Sequence, residues 1–133
     1  MEFYSNCNTG MPADQLQNTL HISNLPDYCQ AVDTVLEARG DKGRIYCIWG
    51  EFEIARERIN GGLRFTLPGC PNSLAWTITT GHDPVPEITV IHLTISRKEH
   101  DPDFIESIQA FVSDLNQGLM TFFQREQLKA DAG

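Results

Sequence analysis

The chain has no CxxC pair: Cys7, Cys29, Cys47 and Cys70 stand 22, 18 and 23 residues apart. That spacing excludes the usual zinc and redox motifs, and four reduced thiols are expected. No apolar run approaches the roughly 20 residues that a bilayer-spanning helix needs, so no membrane partner is expected. Basic residues are scarce, 10 against 18 acidic, giving a net charge of -8. Such a surface repels phosphate backbones unless a basic patch overrides it, and with none visible nucleic acid is not an expected partner. Nucleophile elbows of the G-x-S-x-G type, phosphate loops and dinucleotide-binding glycine patterns are absent. The four histidines do not fall at ligand spacings: His82-Asp83 and His100-Asp101-Pro102-Asp103 read as turn and capping chemistry, so neither metal nor cofactor is expected. The opening residues, Met1 to Cys7, carry neither the positive region nor the apolar region of a secretory signal, so a cytoplasmic address is expected.

What remains is a chain of 133 residues with 41% hydrophobic and 21% charged residues, the values of an ordinary globular domain. By surface scaling it should leave about 7,000 Å² exposed and bury about two thirds of its extended surface, enough for a core without staples. Residues 1–22 are polar and read as a partly ordered segment, 23–128 as a single α+β domain, and 129–133 as a tail.

Ser23-Asn24-Leu25-Pro26-Asp27 offers capping side chains and a proline suited to a first helical turn, and Tyr28, Val32, Val35 and Leu36 follow at helical spacing until Arg39-Gly40. A helix over 26–39 is expected. From Gly43 to Ile95 the pattern changes to period two, broken at Asn60-Gly61-Gly62, at 68–72 and at 81–86, which predicts strands near 44–57, 63–67, 74–80 and 87–96. Asp101 and Pro102 then open a helix over 102–117 with the apolar stripe Phe104, Ile105, Ile108, Phe111, Val112 and Leu115, which can run on past Gly118. The expected architecture is a two-layer α+β domain: a four-stranded antiparallel meander with the N- and C-terminal helices packed on one face, in the order α-β-β-β-β-α.

Side-chain parity then divides the sheet. A two-residue turn at Asn60-Gly61 pairs even positions of the first strand with odd positions of the second, so Ile48, Phe52 and Ile54 share the helix-covered face with Leu63, Phe65 and Leu67. The same face takes Leu74, Trp76, Ile78, Ile91, Leu93 and Ile95. The outer face takes Ile45, Cys47, Trp49, Glu51, Arg64, Thr77 and His92. Apolar residues on an uncovered face point to a ligand, a partner or a chain segment that covers them. The expected function is therefore a soluble, non-catalytic binding or interaction module. Its expected ligand-binding residues are Cys47, Trp49, Glu51, Arg64, Thr77 and His92, with a protein or small molecule as partner. The alternative is a small enzyme using Glu51 or His92 as acid-base group. Leu119, Phe122 and Phe123 carry the helix stripe beyond the expected sheet, which predicts a homodimer through them.

Overall fold

The computed structural model describes residues 1–83, 85–96 and 100–132, the last three of these by backbone alone. Gly133, the end of the expected tail, lies outside the described residues. The accessible surface is 7465 Å², close to the scaling value for a folded chain of this mass.

The chain forms β1 (Glu2–Cys7), α1 (Ala13–Thr19), α2 (Leu25–Tyr28), β2 (Val32–Arg39), β3 (Lys42–Cys47), β4 (Gly50–Ile59), β5 (Gly62–Thr66), β6 (Ala75–Thr79), β7 (Thr89–Thr94) and α3 (Pro102–Ala132). Among the described residues the sheet has seven strands in the order β1-β7-β6-β5-β4-β3-β2, all antiparallel. The α3 helix has 31 residues, so it is about 46 Å long, and it packs with α1 and α2 on one face of the sheet. No helix among the described residues is long and apolar enough to cross a membrane.

The four-stranded meander with an N-terminal helix is thus corrected to a seven-stranded sheet: one extra strand replaces most of that helix, one comes from splitting the expected strand 44–57, and one from the start of the chain. The first difference is at 32–39, where Val32 and Val35 mimic helical spacing. Register shifts between Val32 and Thr34 and between Val35 and Glu37 insert extra residues into β2, so Val32 and Val35 both face the core although three residues apart. Arg39 pairs with Lys42, and Gly40, with φ of 63°, makes a hairpin turn instead of ending a helix. The helical part is reduced to the single turn of α2, whose Leu25 and Tyr28 are buried.

The second difference is a turn inside the expected strand 44–57. Cys47 pairs with Gly50, so Ile48 and Trp49 form a two-residue turn and Gly50 takes a φ of 111°. This turn exchanges parity between its strands: Ile45 pairs with Phe52 and joins the covered face, as does Cys47, while Ile48 is left exposed. Parity across the next turn holds as expected, with Ile59 opposite Gly62 and Arg56 opposite Phe65.

The third difference is at the start of the chain. There β1 pairs with β7 along its full length, and Cys7, Met11, Leu16, Leu20 and Ile22 enter the core despite their polar neighbours. Polar residues in this stretch make specific bonds: Gln17 donates to the carbonyls of Ile59 and Gly62 at 3.0 Å each, fastening α1 to the β4–β5 hairpin. In the interior Trp76 stacks on Phe65 at 5.4 Å and meets Phe111 of α3 edge-on at 5.0 Å.

Candidate functional site

The structure divides the expected site residues between two faces. Cys47 points inward and is 4% exposed, and its thiol donates to the Gly50 carbonyl at 3.4 Å. Trp49, at the tip of the β3–β4 turn, leans over the end of the sheet toward α3. Its Nε1 donates to Ser107 Oγ at 2.9 Å, and the Ser107 hydroxyl donates in turn to the Phe104 carbonyl at 2.6 Å. The indole also packs on Phe111 at 5.1 Å and Phe104 at 6.3 Å, so its position is fixed from two sides.

Arg64, Thr77 and His92 do come together on the outer face, as successive partners in one row across β5, β6 and β7. The row continues to Tyr4 of β1, whose ring stacks on His92 at 4.3 Å with 1° between planes, and Glu2 binds His92 Nε2 at 3.1 Å. Glu51 is also on the outer face but pairs with Arg44 at 3.9 Å, beside an Arg44–Glu53 pair at 3.3 Å. It lies three strands from His92, about 14 Å across the sheet, and six residues along β4 from the row that holds His92. The expected surface therefore does not gather Trp49, Arg64 and His92. Leu119, Phe122 and Phe123 are buried within their own chain, where Phe122 meets Tyr28 at 5.7 Å. Those three are covered by α2 and the core without a second copy.

Trp49 borders a pocket of about 270 Å³ between the β3–β4 turn, the loop after β5 and the first turn of α3. It is lined by Trp49, Phe52, Leu67, Cys70, Leu74 and Phe104, with Pro71 and Asn72. The sequence placed Phe52, Leu67, Leu74 and Phe104 on the covered side but gave no sign that they leave space. Its one local signal was the Leu67 to Asn72 turn, which sets Cys70 at the surface. Two residues along β6 from Leu74, on the same face, lies the buried Trp76 Nε1, which has no acceptor among the described residues. An unpaired donor of this kind costs on the order of 1–3 kcal/mol.

The thiols differ in environment. Burial pushes Cys7 up to about 11. Burial, with the Asp114 charge adding to it, pushes Cys29 up to about 12. Burial also raises Cys47, against the pull of the Trp49 and Gly50 amides. Cys70 alone among the four is partly exposed. At pH 8 N-ethylmaleimide should therefore label native protein once, at Cys70, and four times after denaturation, read by intact-mass spectrometry and peptide mapping. Fast labelling of Cys29 or Cys47 in the native state would contradict this packing.

Among the described residues no group of three or more His, Cys, Asp or Glu side chains is placed to hold a metal. No protein-family model matches the chain, and no curated protein sequence matches it either. Solved structures do resemble it. An uncharacterized protein from Bacillus thuringiensis aligns over 93% of this chain and 98% of its own, with a TM-score of 0.62 and 13% identity. The protein XoxI from Bacillus cereus aligns over 96% of each chain, with a TM-score of 0.63 and 13% identity. A START superfamily protein from Mycobacterium smegmatis aligns over 94% of this chain and 97% of its own, with a TM-score of 0.60 and 12% identity. The seven-stranded antiparallel sheet with its long C-terminal helix is a fold of the START and Bet v1 type.

Proposed function

We propose that this protein is a non-catalytic binding module of the cytoplasm that holds a small apolar molecule in the pocket beside Trp49. The observation that carries this reading is the pocket itself. Six apolar side chains, one thiol and the Asn72 carboxamide line about 270 Å³ of space, and a hydrogen-bonded indole fixes one wall. The likeness in fold to a START superfamily protein is consistent with a binding role. The outer row of Arg64, Thr77 and His92 is the weaker candidate, because His92 is already engaged by Glu2 and Tyr4 on an exposed surface. The acid-base alternative has less support still, since Glu51 pairs with Arg44, His92 bonds to Glu2, and neither lines the pocket beside Trp49.

Native mass spectrometry of protein from its own host tests for a retained ligand and counts subunits in the same spectrum. A dimer seen there uses a surface other than Leu119, Phe122 and Phe123. Titration with 1-naphthol, followed by Trp49 fluorescence, tests the pocket directly. Cys70→Trp, which fills the space from its partly exposed rim, should weaken naphthol binding at least tenfold while leaving the melting temperature within a few degrees. Equal affinity in a well-folded Cys70→Trp variant would remove the pocket from consideration.

A further inference from the structure

The two edges of the sheet are built differently. On β2 the two register shifts and the charged side chains Asp33, Glu37 and Arg39 are features that discourage another strand from pairing. On β1 the register to β7 runs without a shift from Glu2 to Cys7, and the strand contains neither lysine nor proline. Met1 and Ile95 exchange both of their main-chain hydrogen bonds, at 3.0 Å each. In an antiparallel ladder such bonded pairs recur at every second residue, so Phe3, Ser5 and Cys7 bond to β7 while Glu2, Tyr4 and Asn6 turn their N–H and C=O groups to the open edge. Asn116 confirms this geometry: its Nδ2 donates to the Asn6 carbonyl at 2.9 Å and to Ser5 Oγ at 2.6 Å.

Beside this edge runs a groove of about 380 Å³, with Phe3, Tyr4 and Ser5 on one side and, on the α3 side, Gln109, Ser113, Asn116 and Gln117 with Val112. Every lining side chain is uncharged, in a protein of net charge -8. The stacked His92 covers one face of the Tyr4 ring, and the other face looks toward the open edge, where Tyr4 is 63% exposed.

We propose that β1 accepts an extended peptide segment of a partner protein, neutral or basic in character, as an eighth strand. The carboxamides of α3 would bond its main chain or polar side chains, and the open ring face of Tyr4 would support a side chain on the outer face. A second copy of this chain fits less well. Paired edge to edge, two copies would bring two chains of net charge -8 together at one seam. An acidic segment is disfavoured by the protein's own charge.

The test begins with random twelve-residue peptides displayed on phage and selected against the full chain, the strongest binder then being synthesised. In its complex, hydrogen exchange should slow at least tenfold at the amides of Tyr4 and Asn6 and stay unchanged at Phe3, Ser5 and Cys7. Tyr4→Val loses the ring but keeps the N–H, whereas Tyr4→Pro also removes an N–H that β7 does not use, so the fold should persist in both while Tyr4→Pro binds at least tenfold more weakly than Tyr4→Val. Backbone N-methylation of the peptide at alternate residues should abolish binding in one phase and spare it in the other, which decides the matter even if Tyr4→Pro fails to fold. Failure to select any peptide, protection at the Trp49 pocket instead of β1, or indifference to N-methylation would overturn the proposal. A dimer of the free chain that Tyr4→Pro dissociates would give the edge to a second copy and overturn it equally.

Discussion

Replacing Arg56 by Met should destabilise the protein by about 3–5 kcal/mol, read as a lower urea midpoint at unchanged slope. Arg56 extends from β4 into the covered face, with its side chain 3% exposed. Its Nε donates to the Leu20 carbonyl at 2.8 Å, one Nη donates to the Gln17 carbonyl, and the other donates to Asp41 Oδ1 at 2.9 Å. Those two carbonyls belong to the end of α1, where backbone acceptors have no partner within the helix. Methionine fills much of the same volume but donates nothing, leaving both carbonyls unpaired at about 1–3 kcal/mol each. The ion pair itself contributes little, because Asp41 is 62% exposed on its side chain. Asp41→Asn should therefore cost under about 1 kcal/mol. Equal effects from the two substitutions would mean that the charge pair, and not the capped carbonyls, is what Arg56 provides.

Gly118→Ala should lower stability by about 2–3 kcal/mol, or about 8–12 °C in melting temperature. The sign is the informative part. In a solvent-exposed helix interior the same change gains about 1 kcal/mol from propensity. Here a Cβ on Gly118 would stand 2.1 Å from the Tyr28 carbonyl oxygen and 2.7 Å from its carbon, so α2 would have to move away from α3. Tyr28 is itself fixed, its hydroxyl donating to the His21 carbonyl at 2.8 Å and its ring lying against Phe122. A variant that melts above wild type would show that α2 does not press on α3 at this point.

The sequence by itself determined the elements whose signals are local. Asn60-Gly61 makes its turn because Gly61 tolerates a φ of 90°. Leu63, Phe65, Trp76, Ile78, Ile91 and Leu93 alternate because each strand has one covered face, and all six are fully or almost fully buried. The stripe from Phe104 to Leu115 marks α3, and the sequence left open that the helix continues past Gly118, as it does. Other features were decided only by tertiary structure. The bulges of β2 give Val32 and Val35 a helical spacing that only pairing with β3 reveals as strand. The Ile48-Trp49 turn carries no strong turn dipeptide, and it alone decides that Ile45 and Cys47 face inward. Phe122 lacked a partner in the sequence because α2, which covers it, is too short to announce itself by periodicity. The candidate site divides in the same way. Trp49 was legible as a residue needing cover, but the pocket that it borders joins residues 49, 74 and 104, far apart along the chain. Sequence patterns report which side of an element is buried; whether two buried sides meet without filling the space between them depends on packing at the level of single side chains.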